Sequence, residues 1–429
     1  MIENKWIYII IIIIIIVVII VVVFSCRRKE NDCDDNKCDS ESNTSLDSDC
    51  DENKPHPKPD CEKPKSPKIK FRPIGFVQRK SDNNFEADIP QKEHVKPDIV
   101  VLNPSIEKST STLKELISKH IGDIESTSCE GIKIAIVSAY INPNIKKDLY
   151  HVLSGDFKCA IDLKNRIEND IIIVNENQNC TKDHHAWNLQ QTMEVQVLAK
   201  LCPGAKIYLL QAKSSHIEDM LSAVQFACDP TSPNEDGVFG LGVHVVNLSW
   251  GGDISCLNEN DEIFAGSCRA DQIFADYPNV IFSSSTGNIA KKTQWPSINP
   301  YVIACGGLEF KDFKIQGWAS SGSGSDEEYP SNPATGSEFR TVPDVASFAN
   351  PLNGVTVHHN GVEVVVGGTA LSCTLFTAFI SILNARRLKK GMSLLNQNIL
   401  LDSIYNDHEL FKVENAKYDP LTGMGLFSL

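Results

Sequence analysis

The sequence predicts an α/β fold of three layers, with a mainly parallel central sheet covered by helices on both faces. Apolar β-branched runs alternate with helix-period segments from about residue 130 onward, the pattern of parallel strands joined by crossover helices. Glycines stand directly after the strand-like runs, at Gly251-Gly252, Gly287 and Gly306-Gly307, where loops at the carboxyl ends of parallel strands build sites. The run Val364–Val366 turns on Gly367-Gly368 into a helical pattern of Leu371, Leu375, Ala378, Phe379, Ile382 and Leu383.

Taken in order, the chain opens with Trp6 to Phe24, nineteen uncharged residues dominated by Ile and Val. As a helix they would cross a hydrocarbon core of about 30 Å, so residues 1–25 read as a transmembrane anchor in the lipid bilayer. Sidedness stays open. Arg27, Arg28 and Lys29 after the span favour a cytoplasmic body, whereas the sequons at Asn43 and Asn179 favour the opposite side. Residues 26–98, rich in Asp, Lys and Pro, read as a disordered stalk. The domain is expected over 99–429. Thr112 to Gly122 predicts a short helix, and Ile132–Val137 a buried strand. Trp187–Leu201 (helix), Lys206–Gln211 (strand), Ile217–Cys228 (helix) and Val243–Trp250 (strand) follow. Asp261–Tyr277 (helix), Val280–Ser285 and Tyr301–Cys305 (strands) and a loop at Ser320–Ser325 complete the pattern.

A net charge of -14 argues against a basic nucleic-acid-binding face. Fourteen cysteines, none in a CxxC pair, leave disulfides or scattered buried thiols as alternatives. Cys305 and Cys373 sit in apolar runs and read as core residues. The sequon at Asn247 lies in a strand expected to be buried. His184-His185 reads as a surface turn before a helix. The Gly367-Gly368 turn would present the free N–H groups of a helix N-terminus, a place that suits a serine nucleophile. The residue there is Ala370.

Several segments together resemble the sedolisin family, the serine-carboxyl peptidases with a subtilisin-like fold. They are Ile134–Asn144, Trp187–Ile207, Val246-Asn-Leu-Ser-Trp-Gly-Gly252, Trp295–Gly307, Arg340–Ala346, Val364–Ala370 and Tyr418–Gly425. The resemblance implies a glutamate base and a supporting aspartate one helical turn apart, which places both carboxylates on one helix face. Those positions hold Gln190 and Glu194, and the serine position holds Ala370. The oxyanion position falls at Asn288, in a Ser284-Ser-Thr-Gly-Asn288 run closer to the subtilisin form. Ser372 is a poor substitute nucleophile, since it lies about 200° around the helix from Ala370. The resemblance also implies calcium at Asp407 and Asp419, with Asn415 and Lys417 where the family has glycines. It implies a folded prodomain as well, where only the stalk and the 112–122 helix stand here.

The expected function is that of a membrane-anchored, single-pass, catalytically inactive pseudopeptidase. It would bind polypeptide or a protein partner through the former substrate cleft. One alternative is an active endopeptidase or tripeptidyl-peptidase with Glu194 as base, acting on water or on a hydroxyl from Ser283–Ser285 or Ser320–Ser325. Another is a structural surface protein with a filled cleft.

Overall fold

The computed structural model describes residues 95–101, 129–156, 160–175, 184–231, 239–252, 271–330, 337–406, 412–413, 415 and 417–428. All fall within one compact unit, Ile69–Leu429. The anchor Trp6 to Phe24, most of the stalk, the Thr112–Gly122 helix and Asp407 lie outside the described residues.

The central sheet contains β3 (Lys133–Ala139), β4 (Ile171–Asn175), β5 (Lys206–Ala212), β6 (Val245–Leu248), β8 (Ile281–Ser285), β9 (Ile303–Lys311), β10 (Lys314–Gly317) and β13 (Val345–Phe348). Its order is β10-β9-β8-β6-β3-β5-β4, with β13 also on β9. Only the β10–β9 pair is antiparallel. The register sets Ile134 beside both Ile207 and Val245. Alternate residues of β3 face opposite layers. Ile134 and Ile136 join one core cluster, Ala135 and Val137 the other, so the strand is apolar along its whole length.

Helices α1 (Ile145–Leu153), α3 (His185–Leu201) and α5 (Thr369–Lys389) lie on the first face, and α4 (Ile217–Cys228) lies on the second. The short α2 (Ala160–Asn165) and a π-helical turn, Arg166–Asp170, lead into β4. The last helix is α6 (Gln397–Tyr405). Among the described residues, α5 alone is long and apolar enough to cross a membrane, yet 94% of its apolar window is buried inside the protein. It is the central core helix, with every residue from Thr369 to Ala385 buried.

Three elements differ from expectation. The strand expected at Val243–Trp250 breaks at Ser249, and β7 (Trp250–Gly251) leaves the main sheet to pair with β1 (Lys96–Pro97). The Gly/Ser loop at Ser320–Ser325 gives way at Gly324 to β11 (Gly324–Pro330), which pairs with β12 (Phe339–Val342). Folded chain begins by Val95, so the stalk boundary expected after residue 98 falls inside the domain. Five described cysteines, Cys129, Cys202, Cys228, Cys305 and Cys373, are buried thiols outside any disulfide.

Candidate active site

The turn into α5 is shaped by two glycines. The hairpin β14 (Val355–His359) and β15 (Val362–Gly367) delivers the chain to Gly368, whose φ is 93°. A Cβ there would meet the Asp98 carbonyl oxygen at 2.3 Å, so both conformation and space demand glycine. Ala370 follows in the first turn, fully buried. Its N–H is one of the helix's unpaired donors, and it binds the Asp98 carbonyl oxygen at 3.2 Å. Ser372 points elsewhere: its hydroxyl donates to Gly306 O at 2.6 Å and accepts from Ser347 N at 3.0 Å.

Asn288 reaches the same turn. Thr369 N donates to Asn288 Oδ1 at 2.9 Å and Thr369 Oγ1 does so at 3.1 Å. A backbone N–H can only donate, so the amide oxygen faces the helix and the Asn288 NH2 group lies on the other side of the amide carbon. Gly287 N closes the loop by donating to Thr369 Oγ1 at 3.1 Å.

Helix α3 carries Gln190 and Glu194 one turn apart, both fully buried. Its neighbouring polar residues are tied to the body of the fold. Gln191 Nε2 donates to Ala139 O, Asn142 Nδ2 donates to Thr192 Oγ1, and Gln196 Nε2 donates to His358 O. Gln190 differs, since neither Oε1 nor Nε2 has a hydrogen-bond partner. Glu194 Oε1 accepts from Asn247 Nδ2 at 3.0 Å, and its Oε2 has none. Burial pushes the Glu194 carboxyl well above the usual carboxylate range, only partly offset by Ser249 and Asn247 beside it. Burial therefore favours its protonated form over the carboxylate.

Asn247 joins the two halves of the site. Its Nδ2 also donates to Ser249 Oγ at 2.8 Å, and its Oδ1 accepts from Thr377 Oγ1 at 3.0 Å and Cys373 Sγ at 3.2 Å. Ser249 Oγ in turn donates to Ala370 O at 3.3 Å. Glu194 is thus linked to the nucleophile turn through Asn247 and Ser249. Hydroxyls from both serine runs expected as sources of a nucleophile are hydrogen-bonded elsewhere. Ser283 Oγ pairs with Thr377 Oγ1, Ser285 Oγ donates to Asp98, and Ser321 Oγ accepts from Gly307 N.

Beside Ala370 stand β7 and the Ser285–Asn288 loop. Gln294 fills the gap between them. A Cβ on Gly251 would meet the Gln294 amide nitrogen at 2.2 Å, and one on Gly287 its amide oxygen at 2.6 Å. Gln294 Nε2 donates to Ser285 O at 3.0 Å and to Asp98 Oδ2 at 2.5 Å, and Ser285 Oγ donates to the same carboxylate oxygen at 2.7 Å.

The fold as a whole matches a known architecture. Pseudomonas sedolisin, a serine-carboxyl proteinase, superposes with a TM-score of 0.56 over 75% of this chain and 96% of its own, at 16% identity. The domain has the sedolisin, subtilisin-like peptidase fold. Kumamolisin of a Bacillus species is 26% identical over 292 residues, 57% of this chain and 50% of its own length. Tripeptidyl-peptidase 1 of Dictyostelium discoideum is 24% identical over 307 residues, 59% of this chain and 47% of its own. The chain thus spans about half the length of these curated relatives. No family model matches it.

Within this sedolisin fold, Glu194 and Ala370 are joined through one hydrogen-bonded chain, Gln190 stands one turn before Glu194, and Asn288 is placed against Thr369. His184 stacks on Tyr140 with ring centroids 3.4 Å apart, and His185 meets His359 edge-on. Asp419 is exposed, and its Oδ1 already accepts from Leu421 N, Thr422 N and Thr422 Oγ1. The Asp419 and Gly423 carbonyls accept each other's N–H groups. Among the described residues, no group of three His, Cys, Asp or Glu could hold a metal, and Asp407, the other expected calcium ligand, lies outside them. Two residues escaped sequence reasoning. Asn247 was visible only as a sequon, although a lone amide within Val245–Leu248 is a signal for a buried polar hub. Asp98 was assigned to the stalk, and a two-residue strand carries no period by which to find it.

Proposed function

We propose that this chain is a membrane-anchored, sedolisin-like pseudopeptidase that binds polypeptide in its former substrate cleft without cleaving it. The observation that carries the reading is Ala370, a methyl group where a nucleophile would stand, with its N–H still directed at a carbonyl oxygen. Two further substitutions point the same way. An amide at position 190 cannot take a proton from a hydroxyl. Glu194 is fully buried, and that burial raises its pKa and so works against the free carboxylate that a base requires. Loss of the nucleophile alone removes a factor of about 10⁶ in rate from a serine peptidase. The anchor is assigned to Trp6 to Phe24, whose length and lack of charge support a single span.

Incubating the purified protein with a mixed peptide library, with product detection by mass spectrometry, tests this reading. The expected outcome is no turnover. Specific cleavage that disappears in Glu194→Ala would overturn it in favour of a rearranged, active site.

A further inference from the structure

The polypeptide most closely fitted to the cleft is this chain's own segment Val95–Val101. It enters along Ser215, whose carbonyl oxygen accepts from Val95 N at 3.1 Å. Lys96 and Pro97 then pair antiparallel with Gly251 and Trp250. Asp98 N donates to Ser249 O at 3.2 Å, and Asp98 O accepts from Ala370 N at 3.2 Å. β2 (Val100–Val101) leaves on the far side, with Val100 opposite Gly367 and Val101 opposite Val366. The segment therefore crosses the whole cleft as an extended strand, using β7 before Asp98 and β15 after it. The Asp98–Ile99 peptide bond lies at the turn that lacks a nucleophile.

The side chain is held as closely as the backbone. Asp98 is buried, and its Oδ2 takes both Ser285 Oγ and Gln294 Nε2. Gln294 closes the pocket from behind, in space that only Gly251 and Gly287 leave open. Both groups that meet the carboxylate there are donors. A glutamate would drive one more methylene against Gln294, and a large apolar side chain would leave both donors unpaired.

Resting on the reading of the cleft as a polypeptide site, we propose that it is specific for an extended chain with aspartate in the Ser285–Gln294 pocket, and that Val95–Val101 is its resident ligand. A tethered segment competes at a millimolar effective concentration, so a free peptide of the same sequence meets an occupied cleft.

The test uses a fluorescent peptide of residues 93–101 (Glu-His-Val-Lys-Pro-Asp-Ile-Val-Val) titrated with the full chain and read by anisotropy. A full-chain variant carries Asp98→Lys and Val100→Pro, which displace the resident strand by a misfit side chain and a missing N–H. The double variant is expected to bind the peptide at least about tenfold more tightly than the natural chain. A peptide carrying Asp98→Lys is expected to bind neither. A cooperative thermal melt checks that the variant folds. If it does not, Asp98→Ala carries the same comparison with a gain of a few fold. Equal binding by natural and displaced chains would overturn the resident-ligand inference while leaving the cleft a polypeptide site. Equal binding of the aspartate and lysine peptides would overturn the pocket's specificity. Binding by neither chain would overturn the polypeptide site itself, and the inference with it.

Discussion

The two halves of this cleft have fared differently. On the binding side, Ser249, Gly251, Ser285, Asn288 and Gln294 are engaged through backbone pairing, hydrogen bonds or close packing, most of them with Val95–Val101 or the turn at Thr369. On the chemical side, Gln190 has no partner, Glu194 has one oxygen paired of two, and Ala370 has no functional group. Buried polar atoms are almost always paired in folded proteins. Gln190 is unpartnered at both amide atoms and Glu194 at one oxygen; other buried atoms, among them Thr286 Oγ1 and Gln211 Oε1, are also without partners, so it is the clustering at positions 190 and 194 that sets this side apart. The paired side still has a task.

The largest effect expected from this contrast is on pH dependence. Burial raises the Asp98 carboxyl from 3.8 to about 7 and raises Glu194 well above 4.5. Both folded-state values exceed the unfolded ones, so the folded protein binds more protons between them. The stability from each group is complete below the unfolded value and is lost as pH rises through the folded one. For Asp98 the window runs from about pH 4 to 7 and spans about 4 kcal/mol at roughly 1.4 kcal/mol per unit. Urea denaturation across that range should show stability falling with pH, and Asp98→Asn should flatten the slope. An unchanged slope would place the Asp98 carboxyl in water.

Next in size, Asn247→Leu removes the amide that binds Glu194, Ser249, Thr377 and Cys373. It should cost about 3 kcal/mol in denaturant unfolding, because several buried groups lose their partner together. A loss below about 1 kcal/mol would mean that the two halves are not coupled through it. Gln190→Met should do the opposite. Replacing an unpartnered buried amide by an apolar side chain of similar volume should stabilise by about 1 kcal/mol, a rise of roughly 2 °C in melting temperature. Destabilisation would show that Gln190 still serves a partner. Smallest of all, chelation with EDTA should leave the melting temperature within about 1 °C, since the Asp419 loop oxygens are engaged within the loop.

Much of this architecture could be read from residue patterns alone. Ile217–Cys228 was delimited correctly because its apolar period is unbroken, and β5 to within one residue because its apolar run Ile207–Leu210 lies between Lys206 and Gln211. The site positions Gln190, Glu194 and Ala370 came from the resemblance to the sedolisin motifs. What could not be read depends on contacts distant in sequence. β7 leaves the main sheet because its partner is Lys96–Pro97, more than a hundred residues earlier. The proline- and lysine-bearing stretch around Asp98 resembles the stalk in composition, so nothing local marks it as a ligand. Helix α1 was missed although Ile145, Leu149 and Leu153 recur at helical spacing and are all buried, because nine residues are few for a period to show.

Restoring the chemistry tests most directly the claim that the binding half is intact and only the chemical half is lost. Gln190→Glu, Glu194→Asp and Ala370→Ser are combined in the full chain, and the intact mass is followed with time at acid pH. In the restored site the introduced hydroxyl would add to the Asp98 carbonyl carbon and pass its proton to the carboxylate at position 190. The Ile99 amine would leave with that proton, and water would then release Asp98 as a free acid. The account expects first-order self-cleavage between Asp98 and Ile99, independent of protein concentration. A folded triple variant that leaves both its own chain and the residue 93–101 peptide uncut would contradict it.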